Sequence, residues 1–237
     1  MSCGVRSERG KVRDKNEDNY LTMTTKDDLK VIAVADGMGG HQGGRIASSV
    51  AIEVVENYEF TKSNLKTDID NCIKLANKKI LQKANDNLKY NGMGTTLTLG
   101  IIKDKILIIG HVGDSRAYLY SENQLKQITN DHSYVNELVK KNIISSQEAD
   151  KHPKRNLLTR ALGTNQEVKV DIIELELKDK DLVLLCSDGA TEMLSKQDLI
   201  KVINKNSTLQ DKANKVVDMA NQAGGYDNIT VLFYQIK

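Results

Sequence analysis

The run TTLTLGIIKDKILIIGHVGDSRAYLY, residues 95–120, decides the fold class. Thr95–Ile102, Ile106–Gly110 and Ala117–Tyr120 are β-branched or aromatic stretches of strand length, and Lys103-Asp104-Lys105 separates the first two. A parallel pair needs a long crossover, so strands joined by such short polar turns pair as antiparallel hairpins. A further polar turn, Ser121-Glu122-Asn123, continues the meander. On the N-terminal side the first ~40 residues read as extended. There Asn19–Thr24 alternates, and Leu29–Ala35 is an apolar strand ending at Asp36-Gly37. Between these strands and the meander, Ile46, Ala47, Val50, Ala51, Val54 and Val55 recur at helical spacing. Ile69, Cys72, Ile73, Ala76, Ile80 and Leu81 do the same in a second helix.

On the C-terminal side, residues 130–165 are polar and partly helical, and Ser145 and Glu148 have capping-box spacing. Strands return at Val168–Leu177 and Asp181–Cys186. Thr208 and Asp211 open a helix carrying Leu209, Ala213, Val216, Val217 and Ala220, and Ile229–Ile236 is a last strand. Strands, two helices, a run of strands, two helices and a strand make an α+β layout, with helices outside packed antiparallel sheets. No repeat or Gly/Ser tract divides the 237 residues, and Pro153 is the only proline, so a single domain over 1–237 is expected.

Composition excludes several classes. Lys+Arg 34 against Asp+Glu 32 leaves +2 without a basic block, Trp is absent and Phe occurs twice, so no nucleic-acid partner is expected. Cys3, Cys72 and Cys186 are odd in number and form no CxxC pair, which points to reduced thiols. The N-terminal MSCGVRSERGK lacks an apolar core, and Val31–Ala35 is far too short to cross a bilayer. A cytoplasmic protein without membrane insertion is expected.

The acids at strand ends carry the chemistry. Asp36 ends VIAVA, Asp188 ends LVLLCS, Asp114 follows IIGHVG, and Asp227 precedes Asn228 and ITVLF. Turn formation explains any one of them. All of them together point to a shared site, where carboxylates ~4 Å apart repel by about 4 kcal/mol at an effective dielectric near 20. Such a cluster responds by protonating or by binding cations, and oxygen ligands select hard ions such as Mg²⁺ or Mn²⁺.

In order along the chain stand Arg13-Asp-Lys-Asn-Glu-Asp18, Val34-Ala-Asp36-Gly-Met-Gly-Gly-His41, Gly92-Met-Gly-Thr-Thr96, Gly110-His-Val-Gly-Asp-Ser-Arg116, Cys186-Ser-Asp-Gly189 and Gly225-Tyr-Asp-Asn-Ile-Thr230. On these blocks the chain resembles the type 2C (PPM) metal-dependent protein serine/threonine phosphatases of bacterial type, over essentially its whole length. The resemblance implies a central antiparallel β-sandwich flanked by helices on both sides, with a metal cleft at one end and a flap over about 130–165. It implies two core Mn²⁺ or Mg²⁺ ions and a weaker third. Asp36 would bridge the core ions, with the Gly37 carbonyl on one; Asp188 and Asp227 would complete the first site. Glu17 would serve the second, with Asp18 close by through water, and Asn228 would be a supporting residue. Asp114, at the rim of the cleft, would share the third ion with Asp188.

Further roles follow from the same likeness. Arg13 is the phosphate clamp, since a guanidinium fork matches two phosphate oxygens. His41 is the candidate general acid, while His111, inside an apolar run, reads as structural and His132 as orienting the flap. Lys151, Lys154, Arg155 and Arg160 are candidates for steering an anionic phosphopeptide. The chain lacks DxDxT, which fits attack by a metal-activated water without a phosphoenzyme. The implied partners are phosphorylated proteins, including a Ser/Thr protein kinase and its targets, and the expected state is a monomer. A catalytically weak phosphoprotein-binding scaffold of the same fold is the alternative. A nucleotide loop at Gly37–Gly44 lacks a Walker lysine, and a calcineurin-like site lacks the companions of Gly113-Asp114.

Overall fold

The computed structural model describes residues 2–39 and 43–236. Strands β1 (Cys3–Glu8), β2 (Asn19–Thr24), β3 (Lys30–Ala35) and the two-residue β4 (Gly37–Met38) lead into helices α1 (Gly43–Glu56) and α2 (Leu65–Asp86). The meander follows as β5 (Gly94–Thr95), β6 (Leu97–Lys103), β7 (Ile106–Val112), β8 (Arg116–Ser121) and β9 (Gln124–Gln127). Two short helices, α3 (Tyr134–Lys140) and α4 (Ser146–Asp150), occupy the flap before β10 (Asp171–Glu176) and β11 (Leu182–Cys186). Helices α5 (Asp188–Thr191), α6 (Lys196–Ile203) and α7 (Leu209–Gln222) precede β12 (Ile229–Gln235).

Two five-stranded sheets stack face to face, ordered β1-β12-β11-β8-β9 and β10-β7-β6-β3-β2. Their strand pairs are antiparallel. Strand β3 shows why its sequence is apolar at almost every position. Ile32 and Val34 meet Leu107, Val183, Leu185 and Leu232 between the sheets. Val31, Ala33 and Ala35 face outward against Ala47, Val54, Ile69 and Ile73 of α1 and α2. Similarly, Leu184, Cys186, Val231 and Phe233 leave the other sheet outward to meet Val202, Ala213, Val216 and Val217 of α6 and α7. Helices therefore cover both outer faces, and strands buried on two sides lose the polar alternation of a half-exposed sheet.

Several elements depart from the sequence reading. β1 and β9 carry mostly partly exposed, polar residues, and β9 buries only Leu125, so neither shows a periodic signal. The expected strand Thr95–Ile102 breaks at Thr96, because Thr95 pairs across to Gly37 and bridges to Leu162 of the flap. The Asp188-Gly189 turn is the first residue pair of α5. The capping boxes at Ser145 and Thr208 are formed, and a third, Ser195 with Asp198, starts α6.

Candidate metal centre

Strand register gathers the acids. Asp36 leaves β3 beside the start of β2, where Asn19 pairs with Ala35, so Glu17 and Asp18 lie at the same end. β6 begins opposite the end of β7, with Leu97 across from Val112, and this places Asp114 there too. In the facing sheet Cys186 pairs with Val231, which brings Asp188 and Asp227 to one end. Arg13, Glu17, Asp36, Gly37, Asp114, Asp188, Asp227 and Asn228 line a single cleft of about 790 Å³, closed on one side by Asn156, Leu157 and Leu158 of the flap. Asp36, Asp114, Asp188 and Asp227 are all half-buried.

Hydroxyls and amides fix the carboxylates from behind. Thr96 Oγ1 accepts from the Asp36 N–H at 2.9 Å and meets Ser115 Oγ at 2.7 Å. Asp18 is buried, and its Oδ2 accepts from Ser187 Oγ and Thr230 Oγ1, both at 2.7 Å. Asn228 accepts from the Glu17 N–H at 2.8 Å and donates to the Arg9 and Lys15 carbonyls at 2.9 and 2.8 Å. Ser187, Thr230, Thr96 and Ser115 were not assigned roles from the sequence. Their one signal is a hydroxyl residue in or beside the motif blocks, at the ends of otherwise apolar strands.

The electrostatics are those of crowded anions. Burial first, then Asp18, Asp188, Asp114 and Asp227, pushes Asp36 well above the ordinary carboxylate range. Burial and then Asp114 do the same to Asp188. Asp18 rises to about 6, chiefly through burial, against the two hydroxyl bonds. Asp114 rises to about 7 through burial and Asp131, opposed by Arg116. Asp18 Oδ1 and Asp188 Oδ1 are buried without a hydrogen-bond partner among the described residues. Buried acceptors left bare are costly, and a hard cation satisfies several at once. Glycine lets the backbone join them: a Cβ on Gly37 would stand 2.2 Å from the Gly44 carbonyl oxygen and 2.6 Å from that of Glu17.

Two arrangements differ from the expected ligand cage. Among the described residues no three His, Cys, Asp or Glu side chains are grouped so as to hold a metal ion. Asp227 has both carboxylate oxygens engaged. Its Oδ2 accepts from Arg13 Nη2 at 2.6 Å and its Oδ1 from the Asn228 N–H at 2.7 Å. The guanidinium expected to clamp phosphate thus rests on a carboxylate at the cleft mouth. His41 lies outside the described residues. Of the flap cations, Arg160 is committed to Asp171 at 2.7 Å, Arg155 stands 3.9 Å from Glu192, and Lys154 lies over the Tyr134 ring. Among the described residues no helix is long and apolar enough to cross a membrane.

Comparison with known proteins agrees with this geometry. The sequence profile described as Protein phosphatase 2C matches residues 8–223. The serine/threonine phosphatase stp of Listeria monocytogenes serovar 1/2a is 38% identical over 241 residues, covering 99% of this chain and 96% of its own. The crystal structure of the Mycobacterium tuberculosis serine/threonine phosphatase PstP/Ppp superposes with a TM-score of 0.92 at 32% identity, over 99% of this chain and 98% of that one. The catalytic domain of PstP in complex with two manganese ions gives 0.89 at 31% identity, over 99% and 98%.

Proposed function

The chain belongs to the protein phosphatase 2C family, and from that premise we propose that it hydrolyses phosphoserine and phosphothreonine in proteins, using divalent cations and forming no phosphoenzyme. The carrying observation is the set of desolvated, mutually repelling carboxylates, two of them with an unpartnered oxygen, at one end of the sandwich. Oxygen-only donors suit Mn²⁺ or Mg²⁺. Asp36, Asp188, Asp227 and Glu17, with the Gly37 carbonyl, would hold two core ions, and Asp18, fixed by Ser187 and Thr230, would back them. Asp114 with Asp188 would hold a weaker third. Bound there, such ions supply an activated water and neutralise phosphoryl oxygens.

The remaining steps belong to the chain's own groups. Arg13, 53% exposed at its side chain, would exchange Asp227 for two substrate oxygens, orienting the phosphoryl group for in-line attack. Asn228 holds Glu17 and the Arg13-bearing loop in register with Asp227. His41 is the proposed proton donor to the departing seryl or threonyl oxygen. The flap, about 130–165, completes one phosphatase domain over 1–237. Its partners would be cytoplasmic phosphoproteins, including an opposing Ser/Thr kinase and its targets, met by a monomeric enzyme.

The test is release of phosphate from a phosphothreonine peptide by protein stripped with EDTA and then given Mn²⁺ or Mg²⁺. Turnover should vanish and return. Undiminished turnover in the verified metal-free protein overturns the reading.

A further inference from the structure

A second buried polar cluster lies at the root of the flap, against the back of the Asp114 loop. His132 is 2% exposed and stands where the flap begins. Its backbone N–H donates to the Gly113 carbonyl at 2.8 Å, and its Nδ1 accepts from the Gly113 N–H at 3.0 Å. An accepting nitrogen bears no proton, so the ring proton sits on Nε2. Nε2 faces Asp171 Oδ2 at 3.1 Å, and Asp171 Oδ1 accepts from Arg160 Nη1 at 2.7 Å. The Thr159 N–H donates to the His132 carbonyl at 2.8 Å, which joins the far end of the flap to the same residue.

Gly113 needs this restraint. Its φ is +113°, and a Cβ there would stand 2.5 Å from Thr96 Cβ and Cγ2. The peptide is therefore held in an unusual conformation directly before Asp114, whose carboxylate lines the cleft. A proton on Nδ1 would set two N–H groups against each other across that 3.0 Å contact, and the carboxylate at Nε2 disfavours this tautomer. Burial also holds the ring neutral, Asp171 opposing it. His111, whose ring lies 4.7 Å away, is likewise buried; burial and then His132 lower its pKa to about 3.

We propose that His132 is a positioning residue for the phosphatase reaction: its Nδ1 lone pair, fixed by Asp171, holds the Gly113 amide so that Asp114 stays set in the cleft and coupled to both roots of the flap. The proposal rests on reading Asp114 as a group the reaction uses.

Two substitutions in the full chain separate the ring's atoms. His132→Asn keeps an acceptor where Nδ1 stands. His132→Gln places its amide near Nε2, keeps the link to Asp171 and leaves the Gly113 N–H without an acceptor. Hydrogen exchange of the Gly113 amide, measured in EDTA, reads the bond without activity; kcat and KM on a phosphothreonine peptide at saturating Mn²⁺ read its use. His132→Gln should speed Gly113 exchange and lower kcat by roughly 10- to 100-fold, the range for residues that orient a metal ligand, while KM moves little. His132→Asn should restore slow exchange and most of kcat. Equal loss in both variants overturns the proposal, as does unchanged kcat in His132→Gln with fast Gly113 exchange. Should neither variant fold, Asp171→Ala, at a half-exposed position, frees the tautomer and should shift exchange and kcat as His132→Gln does; no change overturns it. A wild-type chain with slow Gly113 exchange and no phosphatase activity would instead refute the functional reading alone.

Discussion

Asp36 has more acids around it than any single turn would require, and its amide and carbonyl are both bonded to the Thr95-Thr96 step. Its folded-state pKa lies well above 3.8, as does that of Asp188, with Asp18 near 6 and Asp114 near 7. Raised carboxylate values mean that the fold binds protons more tightly than the unfolded chain. Their stabilising effect is present below about pH 4 and is lost as pH rises through the folded values. In EDTA the melting temperature should therefore fall between about pH 5 and pH 8, and Asp36→Asn should lessen that fall while reducing turnover by orders of magnitude. Thermal melts across pH, set beside phosphopeptide kinetics, check both halves. Arg13→Lys keeps the charge and loses the planar fork, so KM for the phosphopeptide should rise roughly tenfold with little change in Mn²⁺ affinity by calorimetry. At this scale the sequence was informative about Asp36, Asp114, Asp188 and Asp227, because each lies beside an apolar strand. It was silent about Ser187 and Thr230, whose hydroxyls matter only once β11 and β12 are paired.

Helix α1 reaches the cleft through close backbone contact. A Cβ on Gly44 would stand 2.7 Å from the Gly37 carbonyl group and 2.8 Å from Glu17 Oε2. Gly44→Ala should push α1 away from β4, cost about 1–3 kcal/mol and weaken Mn²⁺-dependent turnover. Thr208→Ala, which removes the cap of α7 on the far side of its sheet, should cost about 1 kcal/mol and leave kcat unchanged. Chemical denaturation of both, with kinetics, tells damage to the centre from damage to the fold. Elements with strong periodicity, such as β2, α1 and α7, were readable from the chain alone. β1 and β9 were not, since β1 is fixed by pairing with β12 and by α7, where a Cβ on Gly4 would stand 2.2 Å from the Leu209 backbone. The helical character of Asp188-Gly189 was equally hidden, because a four-residue helix has no period to show.

Across the molecule, the centre is assembled from both sheets, and Asn228 ties them. This 5% exposed side chain holds the Arg9 and Lys15 carbonyls and the Glu17 N–H. Asn228→Ala leaves those groups unpaired, at about 1–3 kcal/mol for each that stays buried, and should lower both the melting temperature and turnover. The antiparallel hairpins of the meander were legible because their turns are short, whereas the pairing of β1 with β12 depends on contacts between residues such as Cys3 and Tyr234 that no local pattern relates. The same clasp sets a clock on biosynthesis. Glu17 leaves the ribosome 210 residues before Asp227 (227 − 17), a delay of roughly 10–40 s at about 5–20 residues per second. For most of that interval the nascent chain holds Arg13, Glu17 and Asp36 but has neither Asp227 nor the amide that fastens their loop. The centre of each newborn copy is thus incomplete until its β12 has been translated and has slotted between β1 and β11.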